Sequence, residues 1–345
     1  MLDACEAIID HVVDPRFIKL TDNSIPPNEK VKGNYGFPQT LVFDFGVCHG
    51  TSGELEPMLI EMQGFPSLYA FQAIFPEIMR KHLFVPPNFS QYLGGLDQDS
   101  YFSFLNKVLL GSHAAENVVL LEIKPHEQKT RIDFYLTRDK TGIQPVCITD
   151  LIKKGDGLFY LRDGREILIK RIYNRLIFDE LHSRTDLGSF VDIRDQLNVE
   201  WVPHPDWFYR ISKYTLPLVS HPSVPETYFL EEIKQLPANL DEFVLKPLFS
   251  FAGQGVVIDV SQKDLDNIND PWNWILQRKV NYADVIETPD GPAKTEIRMM
   301  YLWEDGASRP VPVINLARLS KGKMIGTRYN KDKEWVGGSV AFFER

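Results

Sequence analysis

Phe243-Val244-Leu245-Lys246-Pro247, followed by Ser250-Phe251-Ala252-Gly253-Gln254-Gly255-Val256-Val257-Ile258, is the stretch on which the fold turns. It reads as strand, small-residue loop, strand. Small residues let backbone N–H groups approach phosphate oxygens, and Lys246 at the end of the first strand adds a point charge. The loop joins two strands, so it is neither a Walker loop nor a Rossmann turn, both of which lead into a helix. Taken alone, a Gly-x-Gly hairpin is more often just a turn. Its meaning depends on what surrounds it.

Toward the N-terminus, Ile8, Ile9, Val12 and Val13 fall on one stripe of a helix over 4–13. Two apolar strands follow, Thr40-Leu41-Val42-Phe43-Asp44-Phe45-Gly46-Val47 and Met58-Leu59-Ile60-Glu61-Met62, and together they read as a hairpin. Residues i and i+2 of a strand share a face, so Glu61 and Gln63 project together and Asp44 can join them from the neighbouring strand. Two carboxylates and an amide oxygen suit Mg2+, which takes few protein ligands and completes its shell with phosphates and water. The alternative is two acids on a solvated face, but the neighbours Leu59, Ile60, Met62 and Phe65 are apolar.

Toward the C-terminus, Glu296-Ile297-Arg298-Met299-Met300-Tyr301-Leu302 and Val311-Pro312-Val313-Ile314-Asn315-Leu316-Ala317-Arg318-Leu319 are strands, each with an arginine in apolar surroundings. Such arginines usually pair with a carboxylate, though the planar fork is also suited to phosphate. Gly337-Gly338 offers a close backbone approach. Between the two ends, residues 76–115 read as a helical insertion with a helix over 101–110. From 116 onward strand and helix alternate: 118–123, a helix over 129–136, 146–148, and 167–173. That alternation favours a βαβ sheet.

The composition excludes several classes. Over 345 residues, 43% are hydrophobic and 25% charged, a globular balance. No apolar run approaches the ~18 residues of a membrane span, and Met1-Leu2-Asp3-Ala4-Cys5-Glu6 lacks the basic start of a signal peptide. Three cysteines at no metal-like spacing fit a reducing cytoplasm without disulfides. A net charge of −9 argues against a nucleic-acid partner. The eight histidines show no HxxxH or HxH pair, which argues against zinc. Cys48-His49 is not a nucleophile pair, because adjacent strand residues point to opposite faces. Oligomeric state leaves no trace.

Taken together and in order, these pieces resemble the ATP-grasp superfamily. The matching residues are Lys213 in Ile211-Ser212-Lys213, Val224-Pro225-Glu226-Thr227, Val244-Leu245-Lys246-Pro247, Ala252-Gly253-Gln254-Gly255, Ile275-Leu276-Gln277, Glu296-Ile297-Arg298, Ala317-Arg318 and Gly337-Gly338. In the usual family order, strands bearing Asp and Glu-x-Asn follow that last glycine pair. Here their counterparts are the N-terminal Asp44 and Glu61-Met62-Gln63, so the chain resembles a circularly permuted member, similar to glutathione synthetase and glutathionylspermidine synthase.

The resemblance implies an α/β protein with α+β lobes. Residues 1–75 would be the permuted part of the ATP-grasp lobe, 76–115 an insertion, 116–204 a pre-ATP-grasp βαβ domain and 205–345 the remaining lobes, with the termini close together. It implies ATP and Mg2+ as cofactors. Lys213, Lys246 and Ser250 would hold phosphates under a flap containing Gly253 and Gly255, with Gln277 at the adenine edge. Asp44, Glu61 and Gln63 would carry Mg2+. Arg298 and Arg318 would face the transferred phosphoryl group and its acceptor carboxylate. Arg171, Arg175, Gly337 and Gly338 would lie on the substrate side. Gln63 departs from the family's Asn, and Gln277-Arg278-Lys279 from a hinge that often carries Glu. The implied activity is a carboxylate–amine ligase joining a small amino-acid or peptide-like acid to an amine through an acyl phosphate. The alternatives are a phosphotransferase on the same fold and a non-catalytic nucleotide-binding module.

Overall fold

The computed structural model describes residues 1–33, 36–50, 52–249, 255–326 and 329–344. In chain order its helices are α1 (Leu2–Val13), α2 (Arg16–Leu20), α3 (Tyr69–His82), α4 (Gln98–Leu110), α5 (Arg131–Thr141), α6 (Phe178–Ser183), α7 (Trp207–Arg210) and α8 (Gln262–Asp266). The first nine strands are β1 (Thr40–His49), β2 (Leu55–Gln63), β3 (Phe89–Ser90), β4 (Val118–Glu122), β5 (Gln144–Cys147), β6 (Ile152–Lys154), β7 (Gly157–Arg162), β8 (Arg165–Ile169) and β9 (Arg171–Asn174). The rest are β10 (Glu200–Val202), β11 (Thr227–Phe229), β12 (Phe243–Pro247), β13 (Trp274–Arg278), β14 (Lys294–Leu302), β15 (Val311–Ser320), β16 (Gly337–Ser339) and β17 (Phe343–Glu344). No helix among the described residues is long and apolar enough to cross a membrane.

The two ends of the chain build one sheet, in the order β16-β15-β14-β1-β2. β1 lies between β14 and the edge strand β2 and is covered on both faces. Leu41, Phe43 and Phe45 enter one core with the α1 residues Cys5, Ile8, Ile9 and Val12, while Val42 enters another with Tyr69 and Tyr101. This is the period-2 alternation of a strand buried on both sides. Met1 and Phe343 pack on the same core cluster, which brings the terminal segments onto one side of the sheet.

A second sheet, β10-β9-β4-β5, is wholly parallel, with α5 as the crossover from β4 to β5. Gly142, at φ 81°, ends α5 in the left-handed conformation that suits glycine. A meander, β6-β7-β8, extends from that sheet, and a small sheet, β11-β13-β12, completes the C-terminal half. The fold is therefore mixed α/β, as the sequence indicates.

Four local expectations change. α3 begins at Tyr69, so the boundary expected at 75/76 falls inside a helix. The 76–115 segment is joined to the body, since β3 pairs with β17 and Tyr92 bridges to Ile314. The single strand expected over 167–173 divides at Lys170 into β8 and β9, strands of different sheets. The strand expected over 256–258 reduces to a single bridge between Leu245 and Val257.

Candidate functional site

A cavity of about 990 Å³ opens between the small sheet and the face of the five-stranded sheet. Its described lining includes Glu61 and Gln63 from β2, Lys246 from β12, Gln277 from β13, Arg298 from β14, Arg318 from β15, and Lys213. Residues separated by more than 250 positions thus meet because β1 pairs with both β2 and β14. Asp44 lies directly opposite Glu61 on one side and Arg298 on the other.

The lining carries eight lysines and arginines against two carboxylates, Glu61 and Glu296. In a protein of net charge −9, that local excess suits a polyanion. Lys246 Nζ donates to Ile60 O at 3.2 Å and to the Gln277 side-chain oxygen. Burial lowers its pKa to about 8, despite the attraction of Glu61. Lys213 donates to Leu248 O at 3.3 Å and is also lowered, first by burial. Such desolvated ammonium groups gain from an anionic ligand. Phe65, Phe208, Ile177 and Phe249 supply an apolar wall.

Beneath the cavity floor the charges form one network. Asp44, 1% exposed, receives Arg298 in a fork, Nε to Oδ1 and Nη2 to Oδ2, each at 2.6 Å. Arg318 Nη2 reaches Asp44 Oδ2 at 2.5 Å and also donates to Glu296. Burial alone would raise Asp44, but the two guanidiniums outweigh it and hold the carboxyl at about 2. Glu296 goes the other way. Burial is the largest cause, Asp44 and Glu61 add to it, and the carboxyl rises to about 7 despite Arg318. Tyr282 OH donates to Glu296 Oε2 at 3.2 Å. Gly46 makes room for that ring, since a Cβ there would lie 2.7 Å from Tyr282 Cε1.

This geometry sorts the expected residues. Lys213, Lys246, Gln277, Glu61, Gln63, Arg298 and Arg318 all line the cavity. Asp44 does not. Both its oxygens are taken by arginines, so it anchors the guanidiniums, the pairing that isolated strand arginines usually make, and is not turned toward a cation. Gly255 has φ 76° and precedes the lining residue Val256. Ser250 and Gly253 lie outside the described residues.

Arg171 is 3% exposed and sits elsewhere, bound to Leu109 O, Val108 O, Glu200 and Asp305. It ties the end of α4 to the parallel sheet and the 303–310 turn, which removes it from the substrate side. Arg175 lies between the Phe65 and Phe134 rings and donates to Pro66 O and Ser67 O. Ser67 Oγ in turn accepts from Arg298 Nη1 at 3.0 Å. Arg175 therefore positions the turn beside the cavity. Gly337 and Gly338 are exposed on the edge strand β16, with Gly338 opposite Arg318 but outside the lining.

Sequence reasoning quoted Glu296 in a matching motif but gave it no role, and passed over Tyr282. The available signal was the i, i+2 spacing of Glu296 and Arg298, which puts both on one strand face. Tyr282 lies in a loop whose place against Gly46 no local pattern announces.

For a cation, the fit rests on Glu61 and Glu296. Both line the cavity, and Glu296 is a buried carboxyl, raised by burial and by Asp44 and Glu61, that gains from a cation beside it. Gln63 Nε2 donates to Glu61 Oε1 at 2.8 Å, so its oxygen is the atom left for a metal. Among the described residues no group of three or more His, Cys, Asp and Glu side chains forms a metal cluster. One or two carboxylates are what Mg2+ needs when phosphates and water complete its shell.

No protein-family model and no curated protein matches the sequence. Among solved structures, a glutathione synthetase-like effector from Globodera pallida, in its apo form, is similar with a TM-score of 0.59. The match covers 92% of this chain and 83% of that one at 11% identity. At such identity the likeness concerns the fold alone, and the chain has a glutathione synthetase-like fold.

Proposed function

We propose that the protein is an ATP-dependent carboxylate–amine ligase on a circularly permuted ATP-grasp fold, acting on a small amino-acid or peptide-like acid. One observation carries this reading: the cavity gathers the buried Lys213 and Lys246, Arg298, Arg318, Glu61 and Glu296 from distant parts of the chain around a space of about 990 Å³. The parallel sheet takes the part of the pre-ATP-grasp domain.

In the first step an oxygen of the acid attacks the γ-phosphorus of ATP and ADP leaves. In the second, the amine attacks the acyl phosphate, phosphate leaves and the amine loses a proton. Phosphoryl transfer asks little covalent chemistry of a protein. Positioning and charge neutralisation dominate. Lys213 and Lys246 would hold the phosphates, whose charge offsets the solvation these ammonium groups lose on burial. Arg318, whose Nε is buried without a partner among the described residues, would orient the acceptor carboxylate while Asp44 fixes its far edge. Arg298, already forked onto Asp44, would act mainly by its field. The aromatic wall would keep water from the acyl phosphate. Mg2+, held by Glu61, Glu296 and Gln63, would neutralise phosphate charge.

The test is phosphate release across a panel of amino acids, small peptides and polyamines. Release that needs both an acid and an amine supports the ligase. ADP without phosphate indicates a kinase, and ATP binding without turnover a binding module. Glu61→Ala, at a partly exposed position, should abolish at least about 99% of the release with little change in Tm. Wild-type turnover in that variant would remove Glu61 from the metal site.

A further inference from the structure

Two residues beyond Arg318, β15 ends at Ser320, and the chain enters a segment, 321–326, that has no helix or strand of its own. Lys323, Met324, Ile325 and Gly326 of this segment nevertheless line the cavity. A wall without regular structure must satisfy its backbone groups in some other way, because each buried N–H or C=O left unpaired is costly.

Here one side chain supplies most of the partners. Asn330 is 8% exposed, and its amide bonds to the segment from both ends. Oδ1 accepts from Lys321 N at 3.0 Å and from Gly322 N at 3.1 Å. Nδ2 donates to Met324 O at 3.2 Å and to Gly326 O at 3.1 Å. The buried Ser320 helps from the strand end, where its Oγ accepts from Gly322 N at 3.1 Å and donates to Met324 O at 3.0 Å. Gly322 makes the tight path possible, since a Cβ there would lie 2.6 Å from Tyr329 O. Lys321 pairs with Asp290, and Lys323 Nζ lies 3.5 Å from Asp259, so side chains also tether the segment to its neighbours.

The chemistry selects this residue type. A short amide offers an acceptor oxygen at one end and two N–H donors at the other. Aspartate would accept from the same two N–H groups but turn its second oxygen toward the Met324 and Gly326 carbonyls. An aliphatic residue would serve neither set. The path of the wall therefore depends on a side chain outside the cavity lining.

We propose that Asn330 is a positioning residue for the ligand cavity, holding the 321–326 wall in its binding conformation before any ligand arrives. The wall is then a prebuilt surface, and the ligand spends no binding free energy on ordering it. This rests on the nucleotide reading above, which supplies the ligand, and goes beyond it.

The test combines hydrogen exchange at the Lys321 and Gly322 amides with calorimetric titration of Mg·ATP, both on the full chain. In the wild type the two amides should be protected without ligand, and Mg·ATP should add little. In Asn330→Ala they should exchange at least about tenfold faster in the empty protein and regain protection with Mg·ATP, which should bind about tenfold more weakly. Asn330→Asp, of the same size, should behave alike, so a poor fold in one variant leaves the other. Lower Tm with unchanged Mg·ATP affinity in both variants would make Asn330 merely structural and overturn the inference, as would wild-type amides protected only in the presence of ligand. Either result leaves the nucleotide reading standing. Failure of the wild type to bind Mg·ATP overturns both.

Discussion

Glu296→Gln exchanges one oxygen for an NH2 group in the most enclosed part of the network. Burial, with Asp44 and Glu61 adding to it, raises the native carboxyl from 4.5 to about 7. An acid with a raised folded-state pKa holds its proton more tightly in the fold than in the unfolded chain. It therefore contributes stability below pH 4.5 and loses it as pH climbs through about 7. At ~1.4 kcal/mol per pH unit, that loss reaches about 3 kcal/mol by pH 8. Glutamine has no such proton. Its oxygen can accept from Arg318 and its NH2 can donate to the Tyr282 oxygen, so the two partners seen here stay satisfied. Urea unfolding should find the variant about 2–3 kcal/mol more stable than the wild type at pH 8 and within about 1 kcal/mol at pH 5. Phosphate release should fall at least about 100-fold in the same protein. A variant less stable than the wild type at pH 8 would refute the reasoning, because ionised Glu296 would then be a net stabilising partner of Arg318.

Lys246 supplies a second pH signature. Its pKa is lowered to about 8 by burial, so ATP affinity should weaken as pH rises through that value, and Lys246→Ala should lack this limb in a binding titration. Arg171→Ala should destabilise the fold by about 2–3 kcal/mol, since it leaves the buried Val108 and Leu109 carbonyls without their donor, while leaving the substrate KM of the folded protein unchanged. A KM effect without a stability loss would return Arg171 to the substrate side. Gly46→Ala should press on Tyr282 and cost about 1–3 kcal/mol, with a weaker apparent affinity for Mg2+ measured alongside Tm.

Much of this site is legible because its residues stand on strongly apolar strands. The 40–47 and 58–62 runs pair as a hairpin, and the Asp44–Glu61 neighbourhood follows from it. What local pattern cannot supply is the partner across a long separation. The β1–β14 pairing sets Asp44 opposite Arg298, and that contact turns an apparent metal ligand into the anchor of two arginines. Arg171 misled for a related reason. An arginine at a strand start looks the same in sequence whether it faces a ligand or the end of α4, and the break at Lys170 falls in a run, 167–173, that no glycine or proline punctuates. Glu296 was hidden in the opposite sense, as one acid in a strand whose facing residues, Gly46 and Arg318, lie in distant segments.

The most direct test of the account is a crystal soaked with Mn2+ and a non-hydrolysable ATP analogue, with data collected at the manganese edge. The account predicts an anomalous peak about 2.0–2.3 Å from oxygens of Glu61 and Glu296, with the triphosphate running toward Lys213 and Lys246. A peak at unrelated surface acids, or a nucleotide bound away from these lysines, would contradict it.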